Sequence, residues 1–67
     1  MTKITMAAAR INKGLSQEQI ADKLGISRGY YHDLETGKKE IKPMHLYAFC
    51  HVVGMSENDI ILPQKST

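Results

Sequence analysis

Residues Leu15–Lys39 read "LSQEQIADKLGISRGYYHDLETGKK", and the fold turns on how this run is parsed. Ser16 and Ser27 each stand just before a segment with helical spacing, and each follows a glycine–apolar pair, Gly14–Leu15 and Gly25–Ile26. A serine in that place caps a helix by accepting from backbone N–H groups of the first turn. The glycine ends the preceding helix, because it adopts the left-handed conformation without steric cost. The apolar residue before each cap and the one four after it form a hydrophobic staple. The pairs are Leu15 with Ile20 and Ile26 with Tyr31. Gln19, three after Ser16, completes a capping box. The run therefore predicts helices over 17–24 and 28–36, joined by "GIS". A glycine-containing link this short makes the two helices cross sharply. Ala21, four before Gly25, is the small residue such a crossing needs.

The same corner is written once more, as "GMSENDI" over 54–60, with Met55 and Ile60 as its staple pair. Asp59 there is a shorter, weaker substitute for the capping-box glutamine. The irregular spacing of the three corners excludes a repeat protein. Further helices are predicted over 3–13, 44–53 and 57–62, with Pro43 suited to the start of the fourth and Pro63 stopping the fifth. Leu46, Phe49, Cys50 and Val53 give the fourth helix an apolar face at i, i+3, i+4 and i+7. Ile20, Ala21 and Leu24 do the same for the second, and Met6 and Ala9 for the first, with Ile4 at its edge. No run reads as a strand. The expectation is an all-α, five-helix domain over 1–62, followed by a disordered tail over 63–67.

The totals bound what this domain can be. A chain of 67 residues has room for one small core. One cysteine, Cys50, cannot form an internal disulfide, and its place on an apolar face makes it a small buried side chain. No apolar run approaches a membrane span, and the N-terminus lacks a signal-peptide pattern. A cytoplasmic, soluble protein is expected. Nine Lys/Arg against seven Asp/Glu leave a net charge of +2, too weak by itself to name a partner. Lys38, Lys39 and Lys42 nevertheless fall together in "KKEIK". Taken alone that run reads as a solvated loop.

Catalytic and metal chemistry find little support. No nucleophile has a base at motif spacing, and no glycine-rich phosphate loop follows a strand. His32, His45 and His51 contain no i, i+4 pair, and Cys50 and His51 point in different directions. No enzyme, metal or cofactor is expected.

With Gln17 opening the second helix, then Ala21, Gly25, Leu34, Glu35 and "ETGK", the run resembles the phage repressor and Cro type of helix-turn-helix, the XRE family. Arg10, Leu46, Phe49, Val53 and Gly54 also fit, and the resemblance covers about residues 4–62. Two positions depart from the family. Cys50 stands where it usually has Ala, and Tyr31 where it usually has Ile or Val. The Tyr31 hydroxyl then needs a partner or water. The resemblance implies a salt bridge between Arg10 and Glu35. It also implies a small transcriptional regulator of phage or bacterial type that binds a double-stranded DNA operator as a two-fold dimer, with half-sites about 34 Å apart.

At 100° per residue, Tyr31, Leu34 and Glu35 share the core side of helix three, while Gly29, His32, Asp33 and Thr36 lie opposite, flanked by Arg28 and Tyr30. In the family this outer face enters the major groove. Base readout then falls to Arg28, Gly29, Tyr30 and Asp33. Arg28 suits guanine O6 and N7, Tyr30 a thymine methyl or a phosphate, Asp33 cytosine N4 or the positioning of Arg28, and Gly29 removes bulk where the helix comes close. Gln17, Ser27, His32, Lys38, Lys39 and Lys42 are expected on the DNA backbone. Read without the motif, the same residues are ordinary surface. Met55, Ile60, Ile61 and Leu62 are more apolar residues than a short helix can bury, which suits a dimer contact or closure of the core. An alternative keeps the fold and changes the partner: an antitoxin or anti-repressor that holds another protein.

Overall fold

The computed structural model describes residues 3–63. Its four α-helices are α1 (Met6–Asn12), α2 (Gln17–Leu24), α3 (Arg28–Thr36) and α4 (Pro43–Val53). The three glycine–apolar–serine stretches form three corners of one design. Gly14, Gly25 and Gly54 all take positive φ, between 71° and 75°. Past each, the apolar residue donates its N–H five residues back: Leu15 to Arg10, Ile26 to Ala21 and Met55 to Cys50, at 3.0–3.2 Å. Ser16 and Ser27 then accept from Gln19 N and Tyr30 N at 3.0 and 3.1 Å. Gln19 Oε1 returns to Ser16 N at 2.8 Å, closing the capping box. Leu15, Ile26 and Met55 all pack against the core.

The chain's two ends differ from the all-α, five-helix expectation. After Ser56 only one turn of 3-10 helix forms, Glu57–Asp59, and the chain then becomes extended. Ile60–Ile61 (β2) pairs in parallel with Ile4–Thr5 (β1), Ile4 opposite Ile60 and Thr5 opposite Ile61. Two consecutive β-branched residues favour this extended form, and Asn58 and Asp59 are poor helix formers. The same ladder shortens α1. Ile4 and Thr5 are held extended, and helix begins only after Thr5 Oγ1 caps Ala8 N at 3.1 Å. At the other end of α1, Asn12 is the last helical residue and Lys13 caps it. The tail expected over 63–67 lies, apart from half-buried Pro63, outside the described residues.

The core is built from Met6, Ala9, Ile20, Ala21, Tyr31, Leu34, Phe49, Cys50, Val53 and Ile60. Tyr31 and Phe49 stack at its centre, ring centroids 6.4 Å apart and planes 19° from parallel. Burial, aided by the Glu57 charge, pushes the Cys50 thiol above its ordinary range. Ile60 is 6% exposed, so its side chain closes the core and is withdrawn from any dimer contact. Met55 is packed against the core as well. Ile61 and Leu62 remain open to solvent. No helix among the described residues is long and apolar enough to cross a membrane.

Candidate nucleic-acid interface

α2 and α3 meet at Gly25-Ile26-Ser27, and the corner turns the outer face of α3 to solvent. Arg28, Gly29 and His32 are exposed on that face, and Asp33 is half-buried beside them. These four line one shallow depression. A second is lined by Arg10, Ser16, Gln17, Glu18, Gln19 and Arg28. Arg28 belongs to both. The Ser27 oxygen accepts from Tyr30 N, which leaves its hydroxyl hydrogen for another acceptor. Gly29 sits in ordinary helical conformation, and a Cβ added there would meet nothing within 4 Å. The fold does not require glycine at this position.

Behind this outer face lies a polar network closed around one carboxylate. Arg10 Nε and Nη2 donate to Glu35 Oε2 and Oε1 at 3.0 and 3.3 Å. The Tyr31 hydroxyl donates to Oε2 at 2.5 Å, and Gln17 Nε2 donates to Oε1 at 3.2 Å. Arg10 Nη1 also donates to the Leu15 carbonyl at 2.9 Å, tying the network to the first corner. Burial by itself would raise the Glu35 carboxyl, but hydrogen bonds from Arg10, Tyr31 and Gln17 outweigh it and hold the group below its usual value. The bond to Glu35 raises Arg10 above its ordinary value. Burial, followed by the neighbouring carboxylate, pushes the Tyr31 phenol far up. Its hydroxyl therefore stays a donor. Tyr31, unusual for the family, has found its partner inside the domain.

The network also fixes polarity at the surface. A carboxylate can only accept, so the Gln17 amide must turn its nitrogen inward. That nitrogen also faces His32 Nδ1 at 3.4 Å. Within the domain the Gln17 side chain is thus engaged by Glu35. Its backbone N–H is one of the first-turn groups a helix leaves unpaired.

Lys38, Lys39 and Lys42 are exposed along the segment after α3. They are not equivalent. Lys39 N donates to the Asp33 carbonyl at 3.1 Å, which folds the segment back along α3. Its Nζ lies 4.8 Å from the Tyr30 ring centroid. Tyr30, half-buried, also meets the ring of His45 at 5.8 Å, edge to face. Helical periodicity carries no sign of this Tyr30–His45 contact, because the two residues belong to different helices. Ile11, Met44 and Tyr47 are large apolar side chains left exposed, and no local pattern marks them. Among the described residues no three His, Cys, Asp or Glu side chains come together as a metal site.

Comparison with known proteins agrees with this architecture. The family model described as helix-turn-helix matches residues 6–60. An uncharacterized HTH-type transcriptional regulator, y4dJ, of Sinorhizobium fredii is 31% identical over 61 residues, covering 91% of this chain and 79% of its own length. Among solved structures, the clp gene regulator ClgR from Corynebacterium glutamicum superposes with a TM-score of 0.76 at 33% identity, over 81% of this chain and 57% of that one. The hypothetical transcription factor NHTF from Neisseria gives 0.77 at 29% identity, over 87% of this chain and 65% of that one. The chain thus spans about three-fifths of the length of those two structures. With a glycine–serine corner between α2 and α3 and an Arg10–Glu35 pair behind them, the chain belongs to the helix-turn-helix family of DNA-binding transcription regulators, of the XRE type.

Proposed function

We propose that the chain binds double-stranded DNA sequence-specifically as a small phage- or bacterial-type regulator, with α3 lying in the major groove. The observation that carries this reading is the placement of Arg28. It stands exposed at the first position of α3, where the two depressions meet, next to a glycine the fold does not need. A guanidinium so placed reaches guanine O6 and N7 in bidentate fashion. Asp33 accepts from cytosine N4 or restrains Arg28. His32, together with Ser27 and the lysines after α3, takes backbone oxygens. Ile61 and Leu62 supply the apolar contact of a two-fold dimer on the operator.

The test is selection of bound sites from a random duplex pool, followed by binding of wild type and Arg28→Ala to the selected site and to a scrambled duplex. Loss of a bidentate base contact costs ~1–3 kcal/mol on the selected site, and much less on scrambled DNA. The same variant relaxes preference at one base pair per half-site. Equal losses on both duplexes make Arg28 a phosphate contact and overturn the readout. Absence of any salt-dependent retention on duplex DNA overturns the DNA reading and favours a protein partner.

A further inference from the structure

The ring of Tyr30 is engaged from two sides before any DNA arrives. Lys39 Nζ stands 4.8 Å from its centroid, within cation–π range. The His45 ring meets it edge-on, centroids 5.8 Å apart and planes 74° from parallel. Three separate elements supply this cluster: α3, the segment that follows it, and the first turn of α4. The backbone brings Lys39 there. Gly37 turns the chain with φ 87°, and the Lys39 N–H then bonds the Asp33 carbonyl at 3.1 Å. Lys39 is thus carried alongside α3, while its side chain remains exposed.

A base-reading side chain has to extend into the groove. Tyr30 is half-buried, braced by one ring and covered by one ammonium. We infer that Tyr30 is a positioning residue: its ring is the platform that holds the Lys39 ammonium for a backbone phosphate of the duplex, with His45 bracing the ring. This rests on the DNA-binding reading above and takes Tyr30 out of direct base readout. The ring shields one side of the ammonium, and the other keeps N–H donors for phosphate oxygens. A lysine already held loses less rotamer freedom on binding than a free one. Lys39 therefore contributes more than Lys38 or Lys42. Because phosphate contacts carry no sequence information, losing the platform weakens binding to every duplex alike.

The test compares Tyr30→Leu, Tyr30→Phe, Lys39→Ala and the double variant Tyr30→Leu with Lys39→Ala. Each is titrated with a selected and a scrambled duplex over a salt series. An exposed cation–π contact corresponds to about a two- to five-fold change in affinity. Tyr30→Leu is expected to weaken both duplexes by that factor, and Tyr30→Phe to restore wild-type affinity. In the Lys39→Ala background Tyr30→Leu is expected to add nothing. Additive losses, a loss on the selected duplex alone, or a Phe variant as weak as Leu each overturn the proposal. Proton NMR of the free protein probes the platform without DNA. The Lys39 ε-methylene resonances should lie upfield in wild type and Tyr30→Phe and return to ordinary positions in Tyr30→Leu. Ordinary positions in the wild type overturn the platform itself. A wild type whose Lys39 resonances are shifted, but which binds no duplex, overturns the DNA reading instead.

Discussion

Replacing Glu35 with glutamine removes the charge on which four hydrogen bonds converge. The carboxylate accepts from Arg10 Nε at 3.0 Å, Arg10 Nη2 at 3.3 Å, Gln17 Nε2 at 3.2 Å and the Tyr31 hydroxyl at 2.5 Å. An amide keeps one acceptor oxygen and presents N–H groups at the other position, where they face donors. Arg10 keeps its charge and loses the neutralising partner. The two side chains are only 13% and 8% exposed. Breaking a buried pair from one side costs ~3–5 kcal/mol, and the residual exposure puts the expected value near the lower end, about 3 kcal/mol. A domain of this size has roughly 3–10 kcal/mol of total stability. The change therefore removes at least about three-tenths of it. At ~4–8 °C per kcal/mol for a small domain, the melting midpoint should fall by about 12–24 °C. The assay is thermal unfolding followed by circular dichroism at neutral pH. A midpoint within a degree or two of the wild type refutes the claim that this carboxylate organises the corner.

The folded Glu35 carboxyl titrates below its unfolded counterpart. Its stabilisation is therefore complete above the unfolded carboxylate range and lost as pH falls through the folded value; in acid titrations Glu35→Gln should show a shallower loss than wild type, and an equal loss in both refutes the assignment. Tyr31→Phe keeps the stacked ring and deletes one donor to the carboxylate, so denaturant unfolding should report a loss of about 1.5–3 kcal/mol; no change would mean that the hydroxyl contributes nothing. Gly29→Ala meets no neighbour and relieves a poor helix former, so it should raise stability by ~0.5–1 kcal/mol while weakening operator binding. Unchanged operator affinity in that variant would show that the DNA backbone does not need the space.

Much of this fold is written locally. A glycine, a serine and a glutamine at fixed offsets suffice to mark where α2 begins and ends, because caps involve neighbours a few residues apart. The limits of α3 follow from the same chemistry at Ser27 and Gly37. "GMSENDI" carries the same signature and still yields a single 3-10 turn. There a contact with Ile4, far away in sequence, outcompetes the local preference. Nothing in the spacing of Ile4 or Ile60 announces that pairing. The outer face of α3 is legible by helical periodicity alone. What periodicity does not reach is convergence from separate elements. The Gln17 amide and Tyr31 hydroxyl meet on one carboxylate, and Lys39 and His45 meet on one ring. Both depend on how helices cross, which no single segment encodes.

The parallel ladder between Ile4 and Ile60 also sets an order of events. It closes a loop that spans nearly the whole described chain, whereas each serine corner is assembled from residues close in sequence. The entropic cost of such a loop grows only with the logarithm of its length, so the finished domain carries the clasp at little expense. The delay is kinetic. During synthesis the α2–α3 corner can form as soon as it emerges, while Ile4 waits for almost the entire domain to be made. A chain interrupted just before Ile60 would carry every residue of α3 and lack both the side chain that closes the core and the strand that fastens its beginning. Synthesis of β2 thus acts as a checkpoint for the domain: only once Ile60 and Ile61 are made can Ile4 and Thr5 lock.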